Sequence, residues 1–418
     1  MYTISVEKLV PGMIIAQDIY DRNGRYILGK SSALTPRHLQ IMKIWGILEV
    51  QVEGEIDKSD NFKSFTNSPL FKQAEKITKW RFQFTSLKDD VTNELFQVCV
   101  KRLSEQIAKG DNEQLIEIKS FMERSSAPKE EKKAKSHTIE RRNLIKDKIE
   151  LPSLPNVFNQ LLEVINDPRS SGTKISDIVS KDTSLSTKLL SLANSSFYGF
   201  RRKVDTLTDA IIMIGTQQIT ALAIGISVLN YFKDIPTDLI DMKSFWKHSL
   251  CCGITARNIA TYKYKTSSNI ERLFVGGLIH DIGRLILYKY HPEQSRETLL
   301  STRKDNNLLY NAESEILGIR HTIVGKSLLE KWKIPLSIEN IVAYHHNPLS
   351  SQEPLEPAIV NIADIIANAL RIGSSGENFV PPLDPKVWEY IGLSKNILLS
   401  IIKQIDKQLF EIIRLFYQ

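Results

Sequence analysis

Cysteine is scarce in this 418-residue chain, which has three, at Cys99, Cys251 and Cys252. The number is odd and two are adjacent, where a mutual disulfide is strained. No disulfide framework is present, and a reducing cytoplasm is the expected compartment. A long uninterrupted apolar run is also missing. The most apolar stretch, near residues 210–232, is broken by Gln217, Gln218 and Asn230, so a buried helical pair is expected there rather than a membrane span. The opening "MYTISVEKLVPGM" has no charged head followed by an apolar core, which argues against a signal peptide. Charge of one sign is not concentrated either. Fifty-five Lys and Arg against 48 Asp and Glu leave a formal +7, modest for this length. The one dense basic cluster falls in a segment read below as a linker, so specific nucleic-acid binding is not expected.

What is present divides the chain. Residues 1–55 read as a small α/β module. "GMIIAQDIY" and "RYILG" are strand-like and flank "DRNG", whose Asn23-Gly24 is a hairpin signal. "LTPRHLQIMKIWG" reads as a helix capped by Thr35 with Pro36 in its first turn, and "ILEVQVE" as a returning strand. Residues 56–122 are a helical segment with apolar positions at Leu87, Val91, Leu95, Val98 and Leu103. Residues 123–143, "ERSSAPKEEKKAKSHTIERR" and the residue after it, are charged and nearly free of large apolar side chains. They cannot bury enough surface to offset ordering entropy, and read as a linker. From 144 to 418 the apolar residues recur at three and four, strand signals are few, and the fold class is mainly α: an all-helical bundle behind a small α/β module.

The polar residues inside this apolar periodicity carry the chemistry. In "GLIHDIGRLILYKYH" an apolar stripe of Val275, Leu278, Ile282, Leu285 and Ile286 is expected on one face of a helix. Gly277, His280, Asp281, Arg284 and Tyr288 fall on the other, and Gly276 and Gly277 allow a second helix close. Of eight histidines, five share one context, an imidazole on an apolar helix: His248, His280, His321, His345 and His346. Asp364 sits among apolar neighbours in "AIVNIADIIANAL", where an unpaired carboxylate costs several kcal/mol. Any one of these histidines reads first as a core residue. Five of them with two aspartates read as a ligand set for a divalent transition metal, Fe, Mn or Zn, projected inward from separate helices. His345 and His346 differ by about 100° on a helix, so one is expected to face the site and the other to support it.

The order His248, His280-Asp281, His321, His345-His346, Asp364 resembles the HD superfamily of metal-dependent phosphohydrolases. "LPSLPNVFNQLLEVINDP", "DTSLSTKLLSLANSSFYG", "VDTLTDAIIMIGTQQI" and "ESEILGIRHTIVGKSLLEKWKIP" are similar to HDOD domains, a bacterial signalling variant, over about residues 146–370. The first fifty residues resemble the accessory module that precedes many HD-GYP phosphodiesterase domains. The resemblance implies that His248, His280, Asp281 and Asp364 hold one metal. His321 and one of His345 or His346 hold a second, with Asp281 bridging. It also implies a regulatory, non-catalytic role.

This sequence departs from the HD-GYP pattern. Asn347 stands where a glutamate is expected, no GYP segment follows, and Arg284 replaces a lysine. The expected function is therefore a signal-transduction protein whose HDOD domain binds protein partners or a nucleotide second messenger. The alternative is a metal-dependent phosphodiesterase in which Arg284 contacts substrate phosphate. No specific nucleic acid and no membrane enter either reading. Limited proteolysis should cut first between residues 123 and 142 and leave a compact fragment from about residue 145. First cleavage inside 150–370 would overturn the linker.

Overall fold

The computed structural model describes residues 2–6, 9, 12–20, 26–44, 47, 49–53, 68–110, 151, 160–161, 163, 171–195, 197–200, 202–232, 235–264, 267–394 and 397–417. The expected Asn23-Gly24 turn and the 123–143 linker lie outside them. The chain divides into two compact units, Met1–Lys72 and Gln73–Gln418.

In the first unit β1 (Tyr2–Ser5) pairs antiparallel with β4 (Glu49–Val52), Tyr2 opposite Val52 and Ser5 opposite Glu49. The short β2 (Ile19–Tyr20) and β3 (Tyr26–Leu28) form a second antiparallel pair. The helix α1 (Pro36–Ile44) starts as its sequence implies, with the Thr35 hydroxyl accepting from the His38 N–H at 3.2 Å. Ile15, Leu34, Met42, Val50 and Val52 form the centre of a small core.

The second unit is helical throughout its described residues. It begins with α2 (Pro69–Arg81, which starts four residues before the unit) and α3 (Asp90–Ala108). A helical layer follows, α4 (Gly172–Ser180), α5 (Thr183–Ala193), α6 (Leu207–Ile214) and α7 (Thr216–Tyr231). The core is built on α8 (Met242–Lys263), α9 (Ser267–Ile279) and α15 (Leu355–Leu370), with α8 packed along both others. Burial is nearly all round on α15, as a sequence apolar on every face requires. Between them run α10 (Ile282–Tyr290), α11 (Pro292–Asp305), α12 (Leu309–Ala312), α13 (His321–Lys331) and α14 (Leu336–Tyr344). The chain closes with α16 (Pro385–Ile391) and α17 (Ile397–Tyr417), the latter against α8. No single described helix is long and apolar enough to cross a membrane. Leu207–Ile214 and Gln218–Val228 pass only as a pair, and that pair is bent by 118°.

Two features bear on the site. First, the helix expected to run through His280 and Asp281 is broken there. α9 ends at Ile279 and α10 begins at Ile282, with Asp281 at its N-cap (φ −96°, ψ 13°) making no cap hydrogen bond. The carboxylate is spent elsewhere, on the groups described below. Second, α2 and α3 pack with the C-terminal helices rather than standing apart. Arg81 donates to the carbonyls of Asn368 and Ala369 at 2.5 and 3.0 Å, which places a cation at the C-terminus of α15. Arg102 forks onto Asp406 of α17 at 2.5 and 2.9 Å. Arg81→Ala leaves two buried carbonyls without a charged donor and should lower stability by about 2–3 kcal/mol in denaturant melts. A change within about 0.5 kcal/mol would show that α2 docks without it.

Candidate metal centre

Six elements bring the seven predicted ligand residues to one point. His248 comes from the middle of α8, and His280 and Asp281 from the α9–α10 break. His321 is the first residue of α13, His345 and His346 follow α14, and Asp364 lies on α15. Glycine makes this convergence possible. A Cβ at Gly277 would lie 2.8 Å from the Gly253 Cα, so α8 and α9 meet backbone to backbone. A Cβ at Gly283 would lie 1.9 Å from the His321 carbonyl oxygen, which fixes α10 against the start of α13.

Asp281 is the hub. Its Oδ2 lies 3.3 Å from His280 Nε2 and 3.9 Å from His248 Nε2. Its Oδ1 lies 3.0 Å from His321 Nε2 and 3.8 Å from His345 Nε2. Asp364 Oδ1 faces the first pair, at 3.1 Å from His248 Nε2 and 3.5 Å from His280 Nε2. Two groups result: His248, His280 and Asp364 on one side, His321, His345 and His346 with Asp281 on the other. One carboxylate turns an oxygen to each. His346 also rests against the Tyr310 ring, centroids 4.4 Å apart.

Hydrogen bonds on the far side of each ring fix which nitrogen faces inward. The Nδ1 of His280 lies 2.7 Å from the Gly277 carbonyl and that of His345 2.9 Å from the Val342 carbonyl. A carbonyl only accepts, so each Nδ1 carries the proton. His321 Nδ1 faces the Glu313 carboxylate at 2.6 Å. The three inward Nε2 atoms therefore present lone pairs when the rings are neutral. His321 Nε2 and His345 Nε2 stand 3.3 Å apart, lone pair toward lone pair. Neither nitrogen of His248, nor His280 Nε2, Asp281 Oδ1 or His346 Nε2, has an aligned hydrogen-bond partner, although all are buried. The close approaches are lateral, as for atoms aimed at a shared point between them. Buried lone pairs converging without donors are costly unless a cation receives them, and imidazole with carboxylate is the donor set of Zn, Mn and Fe. The residues fit a divalent metal.

Surrounding groups hold Asp281, Asp364 and His345 in their donor states, whereas Asp281 beside His280 and Glu313 beside His321 outweigh burial and push those two imidazoles up. Burial pushes Asp281 up, but Arg284, His280 and His321 outweigh it and keep the carboxyl well below its usual range. Burial likewise opposes ionisation of Asp364, and His248 and His280 outweigh it. Burial, then the neighbouring charges of His280 and His321, push His345 down to about 3, so it stays neutral. Arg284 Nη1 donates to Asp281 Oδ2 at 2.7 Å and to the Ser375 hydroxyl at 2.6 Å, and its Nε donates to Glu313 at 3.0 Å. Asn368 donates to Asp364 Oδ1 at 2.8 Å.

Three supporting residues were not foreseen: Glu313, Asn368 and Ser375. Glu313 sits on a π-type turn, Glu313–Leu317, and receives both the N–H and the Nδ1 of His321. A carboxylate eight residues before a ligand histidine was the available signal. Of the other histidines, His38 lies at the Thr35 cap, His291 is half-buried, and His137 falls outside the described residues.

The arrangement defines a helical domain with a buried His/Asp centre, and comparison shows what part of it is similar to. Residues 151–348 match the HDOD domain family model. That segment, just under half of the chain, is similar to HDOD domains. The matched segment contains every ligand residue but Asp364. An HDOD domain protein of Geobacter sulfurreducens is 23% identical, with a TM-score of 0.53 over 66% of this chain and 95% of that one. A Shewanella amazonensis protein provisionally named a phosphohydrolase is 22% identical, with a TM-score of 0.53 over 67% of this chain and 99% of its own. An uncharacterized protein of Treponema pallidum is 23% identical over 221 residues, 52% of this chain. The chain spans 42% of that relative's length.

Glu313→Gln keeps an acceptor for His321 Nδ1 but removes the charge behind it. Metal affinity, read by chelator competition, should fall roughly 10–100-fold with the helical circular dichroism unchanged. Unchanged affinity would exclude Glu313 as the support of His321.

Proposed function

We propose that this chain is a bacterial signal-transduction regulator of the cytoplasm, and that its HDOD domain is a metal-holding output module without turnover. One observation carries this reading. His248, His280, His321 and His345 are 0% exposed, Asp281 1% and Asp364 3%, and His346 is half-buried with its Nε2 shielded from water. A catalytic metal site keeps a position open to water and substrate, whereas a structural one is closed. His248, His280 and Asp364 would hold one ion, and His321, His345 and His346 another, with Asp281 between them. A bound ion supplies charge that organises the helices and, in a hydrolase, Lewis-acid polarisation and an acidified water. The chain's own residues do the positioning: Arg284 holds Asp281, Glu313 holds His321 and Asn368 holds Asp364. The closed centre favours action through protein partners or a bound nucleotide second messenger rather than on nucleic acid or at a membrane.

A second reading, a phosphohydrolase, is favoured by one feature: two ligand groups joined by one carboxylate, as two-metal hydrolysis requires. In that reading Arg284 contacts substrate phosphate. It would first have to release Ser375, because its guanidinium is already shared among Asp281, Glu313 and Ser375.

Elemental analysis of protein purified without chelator, with a phosphodiester screen, separates the readings. The regulator predicts bound divalent metal and no hydrolysis of a cyclic dinucleotide with added manganese or iron. Asp281→Ala should then lose the metal and about 3–5 kcal/mol of stability, since the buried Arg284 loses one of its two carboxylate partners and the surrounding imidazoles lose theirs. Hydrolysis by the wild type that the variant lacks would make the protein an enzyme. Background metal in both would leave the centre a set of mutually paired polar residues.

A further inference from the structure

Six of the seven ligand residues are buried and one, His346, is half-buried. The centre therefore comes nearest to water on the His346 side. The opposite group, His248, His280 and Asp364, lies where α8 packs along α9 and α15, with α8 and α9 backbone to backbone at Gly253 and Gly277. A cavity of about 540 Å³ opens nearby, between the last turn of α2, the start of α8, the end of α11 and the loop that follows α15, but none of the seven ligand residues lines it.

Two side chains cover the His346 side. The Tyr310 ring, on the short α12, packs on His346 with centroids 4.4 Å apart and meets the His321 ring edge-on at 6.0 Å. The Arg320 guanidinium, on the residue before His321, stands over the Tyr310 ring, 4.4 Å from its centroid. His346 in turn touches His345, ring centroids 4.2 Å apart. A chain of contacts results: cation on phenol, phenol on imidazole, imidazole on imidazole. Tyr310 and Arg320 are both half-buried, so this chain runs from the surface inward to the ligands.

The two cations beside the centre are held very differently. Arg284, inside, is locked by Asp281, Glu313 and Ser375. Arg320, outside, has a buried Nε with no hydrogen-bond partner, and among the described residues no carboxylate pairs with its guanidinium. Its hold on the surface is the Tyr310 ring, a contact that strengthens as water is excluded. A cover made of one ring and one cation needs only side-chain rotation to move, which is far faster than the opening of packed helices. Movable covers are drawn from the least stable contacts of a fold.

We propose that Tyr310 and Arg320 are the gate of the buried centre: the guanidinium holds the ring shut over His346, and rotation of the ring opens the path by which a divalent ion reaches His321, His345 and His346 and leaves them. The metal reading supplies what passes through the gate; the position of the path does not depend on it. The ring and cation contacts together amount to about a factor of ten in the ratio of closed to open forms. A sealed centre would be filled once, as the chain folds around its ion. A gated one exchanges its ion in the folded state, so its occupancy follows the supply of metal.

The test reads the path without metal and then with it. Chelator-treated full-length protein is exposed to diethyl pyrocarbonate, and the carbethoxylated histidines are mapped by peptide mass spectrometry. Tyr310→Ala and Arg320→Ala should each raise the rates at His321 and His345 about ten-fold, with His248 and His280 reacting later and the circular dichroism unchanged. Tyr310→Phe keeps the ring and should behave as the wild type. With cobalt(II) as the probe, both alanine variants should bind and release the ion faster by one common factor, leaving affinity at the wild-type value, because a gate serves both directions. Wild-type modification rates in the alanine variants would overturn the proposal. So would modification of His248, His280, His321 and His345 together, which reports general loosening. Weaker cobalt affinity with unchanged uptake would make Tyr310 a support for His346 and overturn it too. If the variants open His321 and His345 to the reagent but no protein binds cobalt, the gate stands and the metal reading fails.

Discussion

Asp281 is a carboxylate with almost no access to water, and everything near it is arranged around that fact. An isolated buried charge of this kind would be expelled or neutralised. Here Arg284 grips one oxygen and imidazoles stand beside both. The helix break at His280 and Asp281 follows from the same demand. An N-cap aspartate ordinarily turns back onto its own helix, and this one turns toward the centre instead. Glu313, Ser375 and Asn368 are then needed to hold the groups that hold Asp281 and Asp364.

Much of this was legible in the sequence, and the reason is chemical. Polar residues on otherwise apolar helices cannot be hidden by periodicity, so His248, His280, His321, His345, His346 and Asp364 stood out as a set, though no one of them did alone. Helical periodicity between residues 144 and 418 carried the fold class. The parts that did not show depend on contacts between distant segments. Val91 and Leu95 mark a buried face on α3, but nothing local says that α15 and α17 cover it. The π-type turn that carries Glu313 and the loop that carries Ser375 have no periodic signature. The break after Ile279 was hidden because "GLIHDIGRLIL" has good helical spacing on both sides, and only the tertiary demand on Asp281 interrupts it.

The HDOD family match and the site geometry bear on different questions. The match covers residues 151–348 and shows that this segment is similar to HDOD domains. It stops short of Asp364 and of the loop after α15, the two pieces that close one side of the centre and shape the neighbouring cavity. Those pieces are where this chain's individual behaviour has to be sought. Both belong to the same stretch of chain, residues 364–379, so one segment lines the candidate metal centre and the cavity together.

The glycine contacts bear on which ion such a centre would take. Iron, manganese and zinc accept the same nitrogen and oxygen donors, so donor identity chooses poorly among them. Most protein sites adjust by side-chain rotation to whatever ion arrives. This one has less room to do so, because α8 meets α9 at Gly253 and Gly277, and α10 meets α13 at Gly283, with main chain against main chain. Ligand spacing is thus set by the frame and not by rotamers. Ionic radius, rather than chemical affinity, would then be the property on which a metal centre built on this frame discriminates.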